Sequence, residues 1–463
     1  MKIKKIVKRS LLLVLILAIA YGLYYCWFSF PIISGFSAKN ACSCTFIQGR
    51  AKESIEAEEL ASFPQSLGSI DINATDSSVT GSVLGFAKRK AIYRNGLGCT
   101  LVNELSESAI RAQKFFLPRQ VFNEDTSRWP MGDAFANRLL STAKRTYFDS
   151  ALSFVFQNSF NGKEVNTKAV VVVHNGAIVA EKYAPGYNKT SKFLGWSMAK
   201  SITGALIGIL VRDGKLKVDQ PAPVAAWRDV TDERHSITTE HLLQQTSGLN
   251  FLEVYNKYSN ANNMLFNKGD AASYAASLPL KNAAGSQFYY SSGNSNILSG
   301  IVRTTVGESN YHGFPYTELF YKIGMYHTVL EPDASGTFVG SSFIYASARD
   351  YARFGLLYLN DGVFNGERIL PEGWVQKTVT PPSANKEKNY GYQFWLNGLD
   401  ENDPSKKEFP EMPADMFYAD GYGGQRIYII PSMKLVVVRM GLNKFDEHGF
   451  LQKIMAAFER KID

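Results

Sequence analysis

The sequence predicts an α+β domain whose first and last strands share one antiparallel sheet, preceded by a membrane-spanning helix. Three features predict it: an apolar run near the N-terminus, a hairpin pattern at 169–180 and a second hairpin pattern at 426–440. Most of the sequence between the two hairpins has helical or loop character. Strands at both ends with helices between them are typical of α+β domains.

The N-terminal segment has the charge pattern of a membrane anchor. Five of the first ten residues are basic, no charge occurs from Ser10 to Ala38, and these five leave only +3 of the net charge of +8 for the other residues. A helix of roughly 20 apolar residues crosses a bilayer, and preceding basic residues stay cytoplasmic. We therefore expect a cytoplasmic segment at 1–9 and an uncleaved anchor at 10–35. The small remaining charge argues against nucleic-acid binding.

A cleaved signal peptide is the alternative, because Ala18-Ile19-Ala20 has the A-x-A form of a cleavage site. The apolar run continues well past that point, which favours the anchor. Both interpretations export the rest of the chain. We expect a single-pass protein of the inner membrane whose main domain faces the periplasm or the cell exterior.

The cysteines fit an oxidising compartment. Cys42, Cys44 and Cys99 follow the apolar run, whereas Cys26 lies inside it. Exported cysteines commonly form disulfides. The sequence allows Cys42–Cys99 and Cys44–Cys99 equally.

Behind the anchor we expect an extension at 36–130, with weak periodicity, that packs on a main domain at 131–463. Apolar spacing predicts a helix over 136–156. Two β-branched runs around Asn175-Gly176 predict the first hairpin, and runs at 426–430 and 435–440 predict the second. A C-terminal helix is expected at about 447–461.

The strongest chemical pattern is Ser197-Met-Ala-Lys200, an S-x-x-K. Residues three apart share one face of a helix, so Lys200 can take the proton that makes the Ser197 hydroxyl a nucleophile. Burial and neighbouring cations lower a lysine pKa enough for this. The same spacing recurs at Ser141 and Ser383, but only Ser197 opens a long apolar helix, 202–211. A plain helix-capping serine is the structural alternative.

Several segments resemble the serine β-lactamase-like superfamily, which includes class C β-lactamases, penicillin-binding proteins, family VIII esterases and 6-aminohexanoate-dimer hydrolases. They are Leu194-Gly-Trp-Ser-Met-Ala-Lys-Ser201, Ile237-Thr-Thr-Glu-His-Leu-Leu-Gln-Gln-Thr-Ser-Gly-Leu249, the stretch 347–362 and Ile369-Leu-Pro-Glu-Gly-Trp374. The resemblance covers roughly residues 135–460. It implies an antiparallel sheet flanked by helices, with a mostly helical subdomain.

The resemblance also implies further site residues. Tyr290 and Ser292 stand where the family has a Y-x-N or Y-x-S motif, so Tyr290 would relay protons. Tyr289 is expected to be the core residue of the pair. Tyr258-Ser259-Asn260 also has the Y-x-N form, but Tyr290 is preferred because an apolar helix follows it. Gly421 matches the glycine of the family's K-T-G motif, and the N–H groups of Ser197 and Tyr422 would form an oxyanion hole. Ala419 replaces the lysine of that motif. Because that lysine helps hold the carboxylate of β-lactams, true β-lactamase activity is disfavoured.

The predicted function is a serine hydrolase that cleaves amide or ester bonds of small substrates through an acyl-enzyme. The alternatives are a non-catalytic penicillin- or peptidoglycan-binding protein or sensor, and a true β-lactamase or D,D-peptidase. An α/β-hydrolase elbow is disfavoured, since Ala199 stands at the final glycine of G-x-S-x-G. No metal or nucleotide motif occurs in the sequence, so we expect no cofactor. The oligomeric state is not predicted.

Overall fold

The computed structural model describes residues 2–119, 122–134, 142–157 and 159–459. The α-helices are α1 (Lys2–Phe46), α2 (Lys52–Glu58), α3 (Glu107–Ala112), α4 (Thr142–Val155), α5 (Met198–Arg212), α6 (Thr239–Leu243), α7 (Asn260–Asn267), α8 (Ala271–Ala276), α9 (Ser292–Val306), α10 (Glu308–Tyr311), α11 (Ala348–Leu359), α12 (Trp374–Thr378) and α13 (Glu447–Glu459). The strands are β1 (Gly68–Asn73), β2 (Ser78–Val83), β3 (Phe86–Arg94), β4 (Gly98–Leu101), β5 (Ser159–Phe160), β6 (Lys163–Glu164), β7 (Thr167–His174), β8 (Ala177–Tyr183), β9 (Lys192–Leu194), β10 (Val329–Leu330), β11 (Ile344–Ser347), β12 (Val363–Phe364), β13 (Glu367–Arg368), β14 (Trp395–Leu396), β15 (Phe417–Gly421), β16 (Gln425–Ile430) and β17 (Leu435–Gly441).

The chain forms two compact units. The first comprises Met1–Arg94, Cys99–Arg111 and Leu252–Gly269, and the second comprises Asn95–Gly98, Ala112–Phe251 and Asp270–Asp463. The first unit therefore joins the N-terminal segments to an excursion from the middle of the chain.

In the first unit, α1 packs on a four-stranded sheet of order β1-β2-β3-β4. Gly81 in β2 allows this close packing, because a β-carbon there would lie 2.9 Å from the backbone nitrogen of Ala38. Weak periodicity predicted only an irregular extension. The sheet was missed because its strands are rich in serine, glycine and charged residues, and α1 supplies the apolar surface that they need.

Helix α1 changes character along its length. Side chains from Lys4 to Tyr25 are exposed, whereas most from Ile32 to Cys44 are buried within the first unit. Among the described residues, α1 is the one helix long and apolar enough to cross a membrane. The expected N-terminal apolar helix is present, and it continues without a break to Phe46.

One disulfide closes the first unit. Cys42 on α1 is bonded to Cys99 on β4, while Cys44 is a buried free thiol and Cys26 is a half-buried one. Of the two pairings that the sequence allows, the structure has Cys42–Cys99.

The second unit is built on a six-stranded sheet of order β14-β15-β16-β17-β7-β8. Its neighbouring strands are antiparallel, and β17 pairs with β7 in a register that places Val437 opposite Val172. The strands of the two predicted hairpins thus share one sheet with helices between them in sequence, which confirms the predicted α+β class. The predicted hairpin turn is also present, with Asn175 and Gly176 at φ 50° and 78°.

Helices cover both faces of this sheet. Helices α4 and α13 contact each other over one face, and α11 contacts β7, β16 and β17. Every residue of β17 is buried, as expected for a strand covered on both sides. Helix α4 is described from Thr142 to Val155, and the predicted residues 136–141 lie outside the described part of the chain. Helix α13 is described to Glu459, and residues 460–463 also lie outside it.

Candidate active site

Ser197 stands at the junction between a strand and a buried helix. Strand β9 ends at Leu194, Gly195 donates its N–H to the carbonyl of Ile344 at 2.8 Å, and α5 begins at Met198. Trp196 has φ 47°, in the left-handed region that a bulky residue rarely adopts. The Ser197 side chain makes no capping hydrogen bond. The capping-serine alternative therefore does not describe this hydroxyl.

Gly195 is required at this turn. A β-carbon there would collide with the hydroxyl of Tyr351, which donates to the carbonyl of Phe193 at 3.1 Å. Burial raises the pKa of Tyr351 well above its ordinary value, so the hydroxyl remains a donor. The Tyr351 hydroxyl thus anchors the backbone of Phe193, which leads into the Ser197 turn, by donating a hydrogen bond to it.

Lys200 lies one helical turn after Ser197 and is only 1% exposed. Its Nζ lies within hydrogen-bonding distance, 3.0 Å, of three oxygens: Ser197 Oγ, Ser292 Oγ and the carbonyl oxygen of Ser341. The S-x-x-K spacing therefore brings the hydroxyl and the amine together. Ser292, a sequence-predicted site residue, is brought to the same amine from the start of α9.

Ser341 was not anticipated from the sequence. Its carbonyl reaches Lys200 because the loop at 340–341 is fixed to two helices: Thr203 Oγ1 donates to the carbonyl of Gly340 at 2.8 Å, and Asn296 Nδ2 donates to Ser341 Oγ at 3.1 Å. The Ser341 carbonyl is 141 residues from Lys200 in sequence, and a backbone carbonyl does not depend on the residue type. No sequence motif could therefore have identified this contact, which is seen only in the folded structure.

Tyr290 borders the same amine. Lys200 Nζ lies 4.9 Å from the centroid of the Tyr290 ring, which stacks on Trp395 at 5.3 Å and meets Tyr390 edge-on at 5.7 Å. Tyr290 is half-buried, whereas Tyr289, expected to be the core residue of the pair, is 42% exposed. That expectation was wrong, because Tyr289 is the more exposed residue of the two.

Gln245 holds the backbone on both sides of Tyr290. Its carbonyl accepts the N–H of Tyr289 at 2.9 Å, and its Oε1 accepts the N–H of Ser291 at 3.0 Å and the side-chain amide of Asn294 at 2.8 Å. Gln245 is fully buried. It lies within the segment 237–249 noted for its resemblance, which was the one available signal, although no role for it was predicted.

Gly421 lies at the end of β15 and abuts the Ser197 turn. A β-carbon on it would collide with the carbonyl oxygen of Gly195. The following turn is closed by the Gly424 N–H, which donates to the Gly421 carbonyl at 3.2 Å, and Arg439 Nη1 donates to the carbonyls of Gly423 and Gly424 at 3.0 Å. The match to the third motif thus places Gly421 beside Ser197.

Tyr422 projects from this turn and is 72% exposed, with its ring 5.9 Å from that of Trp196. Among the residues that the structure describes, no backbone carbonyl accepts the N–H of Ser197 or of Tyr422. Ala419, which replaces the lysine of the motif, is buried.

The competing patterns lie elsewhere. Ser383 is exposed in a loop, Tyr258 belongs to the first unit, and Ser141 lies outside the described residues. His241 is a structural residue, because its Nδ1 accepts the Thr238 N–H at 3.2 Å in a capping box at the start of α6.

Comparisons with known proteins agree with this architecture. The 6-aminohexanoate-dimer hydrolase of Paenarthrobacter ureafaciens is 25% identical over 332 residues, which cover 65% of this chain and 80% of that protein. The crystal structure of a family VIII carboxylesterase superposes with a TM-score of 0.53 at 15% identity, covering 69% of this chain and 98% of that one. A class C β-lactamase gives 0.52 at 15% identity, over 69% and 97%.

These two solved structures establish the fold alone, because their identity to the chain is low. The family comparison goes further: the model described as beta-lactamase matches residues 160–453, more than half of the chain. With the S-x-x-K helix, the shared sheet and the glycine at the end of β15 in place, the chain belongs to the beta-lactamase family of serine hydrolases and their relatives.

Proposed function

We propose that this protein is a serine hydrolase that cleaves amide or ester bonds of small substrates through an acyl-enzyme. Ser197 is the nucleophile, Lys200 is its base and Tyr290 relays the proton. The observation that carries the proposal is the 3.0 Å contact between Lys200 Nζ and Ser197 Oγ, made by an amine that is almost wholly buried. A hydroxyl needs such a partner before it can attack a carbonyl.

The three contacts of Lys200 suit a neutral amine. Such an amine has two N–H donors and one lone pair. The Ser341 carbonyl can only accept, so it takes one N–H, and Ser292 Oγ can take the other. The lone pair then faces Ser197 Oγ, which donates its proton to it as the oxygen attacks.

Tyr290 supplies the proton that the leaving group needs in the acylation step. As the bond from Ser197 Oγ to the substrate carbonyl forms, the Ser197 proton passes to Lys200, and the leaving nitrogen or oxygen takes a proton from the phenol. Lys200, 4.9 Å from the ring centroid, returns a proton to Tyr290. Water then attacks the acyl-enzyme with the same groups in reverse roles.

Two backbone N–H groups suit the oxyanion. Those of Ser197 and Tyr422 have no backbone acceptor in the described structure, and Gly421 allows the two segments to touch. Donors of this kind stabilise the negative charge on the attacked carbonyl oxygen. The buried methyl of Ala419 offers no cation to a substrate carboxylate, which favours linear amides or esters over β-lactams.

The proposal includes a membrane tether. Helix α1 combines an exposed apolar stretch with preceding basic residues, which supports an uncleaved anchor whose C-terminal end leads to a periplasmic or external domain.

The test is Ser197→Ala in the full chain, assayed on nitrophenyl acetate, with Ser383→Ala as the matched control because Ser383 opens a second S-x-x-K in an exposed loop. Turnover should be lost in the first variant only. A fluorophosphonate should label Ser197, as mapped by mass spectrometry. Retained turnover in Ser197→Ala rejects the proposal, and labelling of Ser197 without hydrolysis of any ester or amide favours a non-catalytic binding protein.

A further inference from the structure

The tip of the β2–β3 hairpin in the first unit exposes apolar side chains. Val83 pairs with Phe86, so the turn consists of Leu84 and Gly85. Leu84 is 74% exposed and Phe86 is 69% exposed. Two large apolar residues at one solvent-facing turn are a feature that folding of the hairpin does not require.

The turn is also strained at its leucine. Leu84 and Gly85 have φ 50° and 79°, the left-handed values of a turn that normally carries Asn-Gly or Asp-Gly. Leucine adopts this region at an energetic cost, and at this exposed position it gains no burial in return. Leu84 therefore lowers the stability of the folded protein when the turn is in water, which indicates that the turn lies in an apolar environment instead.

The position of the hairpin along α1 indicates that environment. Tyr93, at one end of β3, stacks on Phe46 at 5.4 Å, and Gly81 lies against α1 midway between Ser34 and Ala38. Ser78, at the start of β2, pairs with Ile92 beside Tyr93. Strand β2 therefore runs antiparallel to α1, from the helix end toward the exposed apolar part.

The alignment of β2 along α1 shows which helix residues lie level with the turn at Leu84. From Gly81 to Leu84 is three residues, or about 10 Å of strand, which equals between six and seven residues of helix. The turn thus lies level with about residues 29–30 of α1. Counted from Leu11, a span of roughly 20 residues also ends near residue 30. The apolar tip is therefore at the outer edge of the candidate span.

Two cations follow the tip. Lys88 is exposed, and Arg89 is half-buried with its Nη1 donating to the Lys88 carbonyl at 3.3 Å. Neither has a carboxylate partner in the described part of the chain, in contrast to Lys90, which pairs with Asp76 and Glu107 at 2.9 Å. Basic residues next to exposed apolar ones match the boundary between acyl chains and anionic headgroups.

We propose that the tip, defined as Leu84, Gly85 and Phe86, inserts into the outer leaflet beside α1, with Lys88 and Arg89 at the level of the lipid phosphates. The partner is a membrane surface containing anionic phospholipid. The inference rests on the proposed membrane anchor. Its consequence is that the first unit is held to the bilayer at a second point.

The test is site-directed spin labelling of the full chain in phosphatidylcholine vesicles with and without phosphatidylglycerol. In a Cys26→Ser, Cys44→Ser background, which removes both free thiols, single labels are introduced by Leu84→Cys, by Thr75→Cys as the control, and by Leu15→Cys. Thr75 is exposed on the β1–β2 turn, at the opposite end of β2. Collision with oxygen and with a water-soluble nickel chelate reports the immersion depth of each label.

The Leu84 label should be more accessible to oxygen than to the chelate, and the Thr75 label should show the reverse. Lys88→Ala with Arg89→Ala should remove the deeper immersion that phosphatidylglycerol causes. A Leu84 label as accessible to the chelate as the Thr75 label, while the Leu15 label is in lipid, overturns the inference and leaves the anchor intact. A Leu15 label in water overturns the anchor itself.

Discussion

Gly421 and Gly195 meet where strand β15 ends against the turn that leads to Ser197. A β-carbon on Gly421 would collide with the carbonyl oxygen of Gly195 and would lie 2.8 Å from Cβ of Gln425. Because one obstacle is backbone, it cannot be relieved by rotation of a side chain. The two segments can approach this closely only if residue 421 is glycine. The spacing of the Ser197 and Tyr422 N–H groups therefore depends on the absence of a side chain there.

Gly421→Ala should therefore lower kcat/KM for a nitrophenyl ester by at least tenfold, about 1.4 kcal/mol of transition-state stabilisation. Gly313→Ala is the control, since its nearest heavy atom would be at an ordinary 3.4 Å. Steady-state kinetics of the two variants, with thermal unfolding to verify folding, decides the matter. Equal activity in both would mean that the close approach is irrelevant to turnover.

Tyr290→Phe should separate amide from activated-ester hydrolysis. The ring and its packing on Trp395 remain, but the phenolic proton is lost. Proton transfer to a leaving group contributes roughly 10²–10⁴-fold, and nitrophenolate departs without a proton. We expect kcat/KM, which reports acylation alone, to fall by at least about 100-fold on an anilide and to fall much less on nitrophenyl acetate. Tyr289→Phe, at the exposed neighbour, should change neither, and parallel losses on both substrates would contradict the relay.

Glu447→Gln should destabilise the second unit in a pH-dependent way. Burial alone would raise the pKa of Glu447, but Arg426, whose Nε lies 2.7 Å from Oε1, and the Tyr428 hydroxyl outweigh it, so the net pKa is lowered. A carboxyl with a lowered pKa in the folded state adds stability above its unfolded pKa, and this stability is lost as the pH falls through the folded pKa.

At pH 7 the variant should lose about 2 kcal/mol of unfolding free energy, because buried Arg426 loses one of its two carboxylate partners and keeps Asp420. The difference from the parent should shrink as the pH falls below 4.5, the ordinary value for glutamate. Denaturant unfolding at several pH values measures this, with exposed Glu372→Gln as the control. A difference that stays constant down to strongly acidic pH would show that the ion pair is not its source.

Cys99→Ser should destabilise the first unit. The bond to Cys42 closes a loop with a sequence separation of 57, for which the chain-entropy model gives about 4 kcal/mol. The thermal midpoint of the purified full chain should fall, and reductant should lower the midpoint of the parent but not of the variant. Cys26→Ser, which removes a free thiol, should behave as the parent. An unaltered midpoint in Cys99→Ser would mean that other contacts hold α1 to β4.

The parts of the fold that were predictable have local causes. Asn175-Gly176 favours a left-handed turn by its own chemistry, and the valine run of β7 requires burial on both faces. Ser197 and Lys200 were likewise predictable, because three-residue spacing on a helix is a local property. Their environment was not, since the Ser341 carbonyl meets Lys200 only through contacts of the loop 340–341 with α5 and α9.

The sheet of the first unit shows the opposite case. Strands β1 to β3 bury their residues unevenly, and the surface that covers them is the C-terminal half of a helix that otherwise has the composition of a membrane span. The sequence pattern of the strands alone could not show that the apolar surface covering them is the C-terminal part of α1. The pairing of Cys42 instead of Cys44 with Cys99 depends on the same packing.

Trp196 adopts its left-handed conformation directly before Ser197. Glycine or asparagine would occupy that conformation at lower cost, so the native tryptophan stores energy that the rest of the fold must supply. If Ser197 is the nucleophile, as proposed, stability and turnover are opposed at this position, because the costly turn also sets where the Ser197 hydroxyl lies. We expect a laboratory selection for heat resistance alone to replace Trp196, giving variants that withstand heat better than the parent and hydrolyse esters more slowly.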